Sequence, residues 1–554
     1  MKIYLRDKDS FWKSFLESEG FPHEIVDGQY NFDKKPLLIF NKDVSSENAR
    51  ILLREVLRKG GVCIIDKGQI RTIYPEADQI QEKGTRYAVK DFSIVLPEQE
   101  SSGDIPVATT MFRKVGNGLL IGVEEQLDTL WSSSEKALKK LCIDEEGRSF
   151  AHETLCRVVK RNVRNYAKTI MFEVGKHFNE PIISLWRYPK DFRSVCNLRV
   201  DVDPEKVTDE VKAFDKIRQT FDMAKDNGSC MSFFVNFYRW NSKVSYFREQ
   251  REKGLDIQSH NYFHYLYPDR WINRGNFIMA HEILLGLGAK PVGFVAPEYF
   301  WYDHTADILE EHGYTYSQSH GFDYSNYPYR PLVKGSIRNY IEVPNDPLVF
   351  SKFSTEKNPT AVEYVSKMYR WLMKARVNAC EPCLKYEHPN VLGLHKELGD
   401  GILEFFSEVS SDVKPVTLTG WSEWLDRRRE FLRGVRFNYS NNEEINVANS
   451  TLATDEFAVA IQYDEREVYV GRLGRSHNQT LTKAELKKLK LSAGESLLGQ
   501  TIYNPLEKPT NVIRTHRHRK KLIKYYKMYF KNKLRFVQKI MWPNLIRKSI
   551  SIVM

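Results

Sequence analysis

Between residues 191 and 430 short apolar runs alternate with longer stretches whose apolar positions recur at helical spacing. The runs Leu198–Val202, Cys230–Val235, Val292–Ala296, Tyr314–Ser317, Ile341–Val343 and Val416–Thr419 predict strands. So does Asp256–Ser259, which feeds directly into a pair of histidines. About seven βα units in succession predict a (β/α)7-type deformed TIM barrel, with reactive groups at the C-terminal ends of its strands. Residues 1–150 show the same alternation on a smaller scale. Leu37–Phe40, Gly61–Asp66, Phe92–Leu96 and Leu119–Val123 predict strands, and Ser45–Arg58 predicts a helix stopped by Gly60-Gly61, which together make a small parallel α/β domain. Residues 151–190 read as a basic helical connector (Arg157, Lys160, Arg161, Arg164, Lys168) with a solvated face. In 431–505 the short runs Val435–Tyr439, Ile445–Val447, Phe457–Tyr463 and Glu467–Val470, separated by Asn, Ser and Gly clusters, predict a small all-β sandwich. That module is equally readable as a carbohydrate-binding accessory or as a spacer.

At 554 residues the chain exceeds one core, and 42% hydrophobic with 28% charged residues describes an ordinary soluble protein. Its net charge of +11 is unevenly spread: residues 511–554 hold 13 Lys/Arg and no Asp/Glu, which leaves 70 basic against 72 acidic residues in the first 510. The tail interleaves these cations with Tyr525, Tyr526, Tyr529, Phe530, Phe536 and Trp542 and ends in Leu545, Ile546, Ile550, Ile552 and Val553. A basic amphipathic segment of this kind suits an anionic membrane surface, with a disordered solubilising tail as the alternative. Nucleic acid is not expected, because no reader fold accompanies the basic stretch.

Seven scattered cysteines form no disulfide framework, and the lone Cys380/Cys383 pair lacks the second pair that a structural zinc needs. Met1–Phe21 has no apolar core of a secretory signal, and no run reaches the ~18 apolar residues of a spanning helix. Cytoplasmic residence, peripheral on the inner membrane, is the resulting expectation; the oligomeric state is left open.

Two short stretches concentrate the chemistry. Asp201-Val202-Asp203 ends an apolar strand with two carboxylates, and His260-Asn261-Tyr262-Phe263-His264 puts two imidazoles at i and i+4, where a helical turn would aim both at one ion. One carboxylate and two imidazoles make three ligands and leave a fourth position open, as in a catalytic zinc site; the other carboxylate is then available as a base.

Over roughly Leu185–Arg429 these motifs resemble the polysaccharide deacetylase (NodB-homology, carbohydrate esterase family 4) superfamily. The resemblance implies Asp201 as catalytic base, Asp203, His260 and His264 as ligands of a divalent metal, most simply Zn2+, with Asn261 where the family has a hydroxyl residue. The approach Gly254–Ser259 has the same look. The family's third motif is matched by Val295-Ala296-Pro297-Glu298-Tyr299, which keeps the proline and implies the Glu298 N–H as oxyanion donor, but lacks the arginine that orients the base. Either another cation such as Arg199 takes over or activity is weakened. For the acid that protonates the departing amine, His395 (Leu392-Gly393-Leu394-His395) is favoured over His388 (His388-Pro389). Trp421–Arg429 resembles the helix that closes such barrels, its tryptophans being core anchors. The arrangement of residues 1–150 resembles the flavodoxin-like or glutamine-amidotransferase-like domains sometimes fused ahead of carbohydrate deacetylases, without a nucleophile elbow or a Cys-His pair. The implied function is hydrolysis of an N-acetyl or other N-acyl group on an amino sugar of a surface or lipid-linked glycan. Alternatives are a formyl or ureide amide hydrolase built on the same residues, a catalytically inactive glycan-binding barrel, and a membrane-tethered scaffold.

Overall fold

The computed structural model describes residues 1–491 except 28–29, 34, 42–43, 45, 74–80, 84–109, 124–126, 135, 143–149, 157–159, 204–208, 321–326, 346–358, 441–442, 450–454 and 465. The run expected at Phe92–Leu96 and the basic tail 511–554 lie outside the described residues.

The strand Ser194–Val202 (β1) is buried at all nine positions, and its two faces carry different chemistry. Cys196, Leu198, Val200 and Val202 pack outward into one apolar cluster with residues of the flanking helices, including Phe221, Leu372 and Phe406. Side chains alternate across a strand, so Asn197, Arg199 and Asp201 all turn to the other face, inside the curl of the sheet. Seven more strands follow: Met231–Val235 (β2), Asp256–Ser259 (β3), Gly293–Phe294 (β4), Tyr316–Ser317 (β5), Ile341–Glu342 (β6), Cys383–Glu387 (β7) and Val413–Pro415 (β8). They pair in parallel in the order β6-β5-β4-β3-β2-β1-β7, with β8 beside the start of β1. Among the described residues no pairing joins β6 to β7 or β8, so the sheet is a curled, open half-barrel.

Two features depart from the pattern-based expectation. Strand β7, not foreseen, reads as polar because Lys385 and Glu387 interrupt it, yet both are buried: the Lys385 ammonium lies 4.5 Å from the Tyr369 ring centroid, and the Tyr369 hydroxyl donates to Glu387 Oε1 at 2.8 Å. The strand expected at Val416–Thr419 falls instead at Val413–Pro415. Thr417 is the N-cap of the helix Leu418–Gly434, its hydroxyl accepting from Gly420 N, so the β-branched residues that suggested a strand serve to start a helix. Trp421 and Trp424 of that helix are buried in an apolar cluster, and Phe431 packs on Phe457 at 4.6 Å.

Ahead of the half-barrel lies a seven-stranded sheet. Lys2–Leu5, His23–Ile25, Pro36–Ile39, Val62–Asp66 and Gly118–Val123 are parallel, and Thr110–Val115 and Gln81–Lys83 extend it antiparallel. The stretch read as a helical connector is helical over Lys160–Phe178 but carries strands on either side, Phe150–Cys156 and Ile182–Leu185. Ile182–Leu185 pairs antiparallel with Ala458–Gln462, in one four-stranded sheet with Glu467–Arg472 and Lys487–Lys490. A three-stranded antiparallel sheet, Val435–Tyr439, Glu444–Asn449 and Asn478–Thr482, shares its apolar cluster. The first sheet's helix Phe11–Glu19 is fixed to these elements by charge: buried Glu19 meets Arg164, Lys168 and Arg187, and Arg428 donates to the carbonyls of Glu17, Ser18, Leu185 and Trp186. Gly20 follows at φ +84°, where a Cβ would sit 2.2 Å from the Leu185 oxygen, so only glycine lets the two backbones approach. No helix among the described residues is long and apolar enough to cross a membrane.

Candidate metal centre

The inward face of β1 ends in Asp201, and Asp203 follows one step past the strand, its N–H donating to the Asp201 carbonyl at 3.1 Å. His260 lies directly after β3, on the neighbouring side of β2. Its Nδ1 is 2.9 Å from the Val295 carbonyl, so Nδ1 carries the proton and Nε2 is left with its lone pair. His264 reaches the same point, but not by the helical turn expected from its i+4 spacing. Residues 260–264 form a bent loop with Asn261 in the left-handed region at φ +66°. Asparagine tolerates that conformation, and buried amides hold the loop. Asn236 Nδ2 donates to the carbonyls of His260 and Asn261, and Asn276 accepts from Phe263 N at 2.6 Å while donating to Tyr265 O at 2.9 Å.

Asp203 Oδ1 thus lies 3.0 Å from His260 Nε2 and 3.0 Å from His264 Nε2, and the two Nε2 atoms are 3.1 Å apart. Oδ1 is buried and makes no hydrogen bond. Electron-rich atoms crowded in this way repel unless a cation or a proton lies among them. The edge of a tetrahedron with ligand bonds of 2.0–2.1 Å is about 3.3 Å, so the triangle fits a small divalent ion with one position open. Among the described residues this is the one such group of His, Cys, Asp and Glu.

Electrostatics inside the site are dominated by Asp203. Burial works against its charge, but the nearby His264, with His260 and His388 close beside it, holds its pKa well below the usual carboxylate value. Burial likewise acts to lower the His264 pKa, and the Asp203 charge overcomes it, so the net shift is upward.

Asp201 is gripped by Arg199, two residues earlier on the same strand face. Nη2 donates to Asp201 Oδ2 at 2.6 Å and to the Tyr299 hydroxyl at 2.6 Å, and Nη1 donates to Gln318 Oε1 at 2.8 Å. Tyr386 covers the guanidinium at 4.4 Å from its ring centroid. A buried cation therefore stands at Asp201 despite the missing arginine in the Pro297 segment. Glu298 lies exposed in the turn Pro297–Tyr299 after β4, with φ +52° at Glu298 and +53° at Tyr299, two consecutive left-handed residues that are not glycine.

Of the two late histidines, His388 is the one brought to Asp203. It follows β7, and its Nε2 is 3.4 Å from Asp203 Oδ2. Burial acts to lower its pKa, but the hydrogen bond and charge of Asp203, with Asp201 and Glu387 behind, raise it to about 9. His395 lies at the junction of the helices Pro389–Leu394 and Lys396–Glu408, its Nδ1 3.6 Å from Glu397 Oε1. Strand β7 explains the difference: it runs beside β1, so the residue after it, His388, arrives at the mouth. Tyr299, the last residue of the third motif, was given no role there, and Gln318, Tyr386 and the amides Asn236, Asn276 and Asn345 were not foreseen. The one local signal for Arg199 was its i−2 spacing from Asp201 on a strand.

No family model matches the sequence, and no curated protein matches it. Among solved structures the chain is similar to polysaccharide deacetylases and family 4 carbohydrate esterases. A protein assigned as a polysaccharide deacetylase from Mycobacterium smegmatis is 20% identical over 44% of this chain and 94% of its own, with a TM-score of 0.36. A family 4 carbohydrate esterase from Streptomyces lividans, solved with acetate, is 12% identical over 40% of this chain and 91% of its own, with a TM-score of 0.28. A family 4 pseudoenzyme from Bacillus anthracis is 10% identical over 43% of this chain and 68% of its own, with a TM-score of 0.27.

Proposed function

We propose that this chain is a metal-dependent hydrolase that removes an N-acetyl, or other N-acyl, group from an amino sugar of a surface or lipid-linked glycan. What supports it most is the triangle of Asp203 Oδ1, His260 Nε2 and His264 Nε2, with sides of 3.0–3.1 Å, beside an Asp201 carboxylate held by a buried arginine. A divalent ion bound there, zinc by the preference of that ion for imidazole and carboxylate ligands, would lower the pKa of water towards ~7 and polarise the acyl carbonyl. Asp201 accepts the proton of the attacking water, with Arg199 fixing the carboxylate's orientation. The backbone N–H of Glu298 donates to the oxygen that becomes negative as the carbonyl carbon turns tetrahedral. His388, whose Nε2 lies 3.4 Å from Asp203 Oδ2, is the group placed to deliver a proton to the departing amine. His395 is left without a chemical role.

The basic segment 511–554, with 13 Lys/Arg and no acid, would hold the enzyme at an anionic, cytoplasm-facing membrane surface where a lipid-linked sugar is presented. Two measurements test the whole. Purified protein should contain about one divalent ion per chain and should release acetate from oligomers of N-acetylglucosamine or from a lipid-linked N-acetyl amino sugar. Asp201→Asn should keep the metal and lower acetate release by about 10²–10⁴-fold, leaving a measurable residue. A protein that binds no metal, or whose Asn variant keeps full activity, ends the hydrolase reading; glycan binding without acetate release would favour an inert barrel.

A further inference from the structure

We infer that Tyr299 is a positioning residue whose hydroxyl, through one nitrogen of Arg199, locks the base Asp201 and the Glu298 turn into a single arrangement. Its kinetic consequence rests on the hydrolase proposed above; its geometric consequence does not.

Each terminal guanidinium nitrogen has two N–H groups in a fixed plane. Those of Arg199 Nη2 are directed to Asp201 Oδ2 and to the Tyr299 hydroxyl, both at 2.6 Å. A shift of either acceptor therefore disturbs the bond to the other. The guanidinium cannot relax easily, because Nη1 is held by Gln318 at 2.8 Å and the rings of Tyr386, Tyr299 and Phe234 surround it at 4.4, 5.4 and 6.0 Å. From the other side the Tyr299 hydroxyl accepts from Asn345 Nδ2 at 2.9 Å, which ties it to the segment after β6.

The backbone supplies an independent sign of constraint. Left-handed φ at both Glu298 and Tyr299 is a conformation that residues with a Cβ avoid, and it persists only where the surroundings enforce it. Backbone bonds from Tyr299 N to Ala296 O at 3.0 Å and from Phe300 N to Pro297 O at 3.2 Å shape the turn, and the far end of the Tyr299 side chain, buried and bonded at its hydroxyl to two donors, anchors it to Arg199 and Asn345. Cutting that anchor should let the turn move and leave Arg199 with one acceptor fewer, so the base and the Glu298 N–H should drift together.

Tyr299→Phe removes that hydroxyl and keeps the ring. Crystal structures of the wild type and the variant should show the Asp201 carboxylate and the Glu298 nitrogen each displaced by more than ~0.5 Å. Unmoved positions for both would overturn the proposal. In acetate release from N-acetylglucosamine oligomers, kcat should fall roughly 10- to 100-fold, with KM within about twofold of wild type and metal content unchanged. Placed in an Asp201→Asn background, the same change should cost clearly less, because one of the two groups it positions is already gone; an undiminished cost would show that Tyr299 does not act through the base. If the wild type releases no acetate, the hydrolase reading fails, while the crystallographic comparison still decides whether the hydroxyl positions Asp201 and the turn.

Discussion

His260 Nδ1 lies 2.9 Å from the carbonyl oxygen of Val295, and that bond selects which ring nitrogen faces Asp203. With the tautomer fixed, His260 can only present a lone pair to the site, where Asp203 Oδ1 lies 3.0 Å from it and 3.0 Å from His264 Nε2. Removing any one of the three should therefore remove the ion. Asp203→Ala and His264→Ala are expected to lose bound zinc in elemental analysis. Treating the wild type with a chelator should abolish acetate release reversibly, and excess metal should raise Tm, since an ion at 100 times its Kd stabilises by about 2.7 kcal/mol.

His388 and His395 should part company in kinetics. Replacing His388 by Ala deletes the group next to Asp203 Oδ2 and should lower kcat by about 10²–10⁴-fold with metal retained. The same change at His395, which sits by Glu397, should leave kcat within about threefold of wild type. Steady-state acetate release by the two variants decides the matter, and a reversed order would move the acid to His395.

The metal-free protein should lose stability on the alkaline side. Burial acts to lower the His388 pKa, but the Asp203 hydrogen bond and charge raise it from 6.5 to about 9. A group raised on folding contributes stability fully below its unfolded pKa and loses it as pH rises through the folded one. Asp203 works in the opposite direction: burial opposes its charge, its histidine partners hold its pKa well below 3.8, and its contribution disappears as pH falls below that value. Thermal melts of chelator-treated protein should therefore show Tm highest between about pH 4 and 6.5 and falling from there to about pH 9. A flat profile across pH 6.5 to 9 would contradict the proximity of His388 to a charged Asp203.

Glu298 gives a test of backbone against side chain. At φ +52° glycine fits without strain, so Glu298→Gly should keep stability or raise it by up to about 1 kcal/mol, and should keep most of kcat if the N–H alone is used. Glu298→Pro deletes the N–H and cannot take that φ, so activity should be lost. Denaturant unfolding and acetate release, measured on both variants, separate the two effects.

Local pattern carried a good part of this protein. Alternation of apolar runs with helical spacing marked β2 and β3 to within a residue and the C-terminal half of β1, which starts four residues earlier at Ser194, because each is filled by residues that must be buried on at least one face. Motif spacing brought out Asp201, Asp203, His260 and His264. Tertiary structure decided what depends on contacts distant in the chain. Strand β7 was hidden because Lys385 and Glu387 find buried partners that a linear pattern cannot supply, and with it went the position of His388. The cation at Asp201 comes from a residue whose direction is fixed only when β1 curls inward, and the histidine pair meets Asp203 through a left-handed Asn261 rather than a helical turn. Sequence alone determines which residues can bear charge, ligate or be buried; the register of parallel strands determines which of them meet, and β7 lies 187 residues from its partner positions on β1.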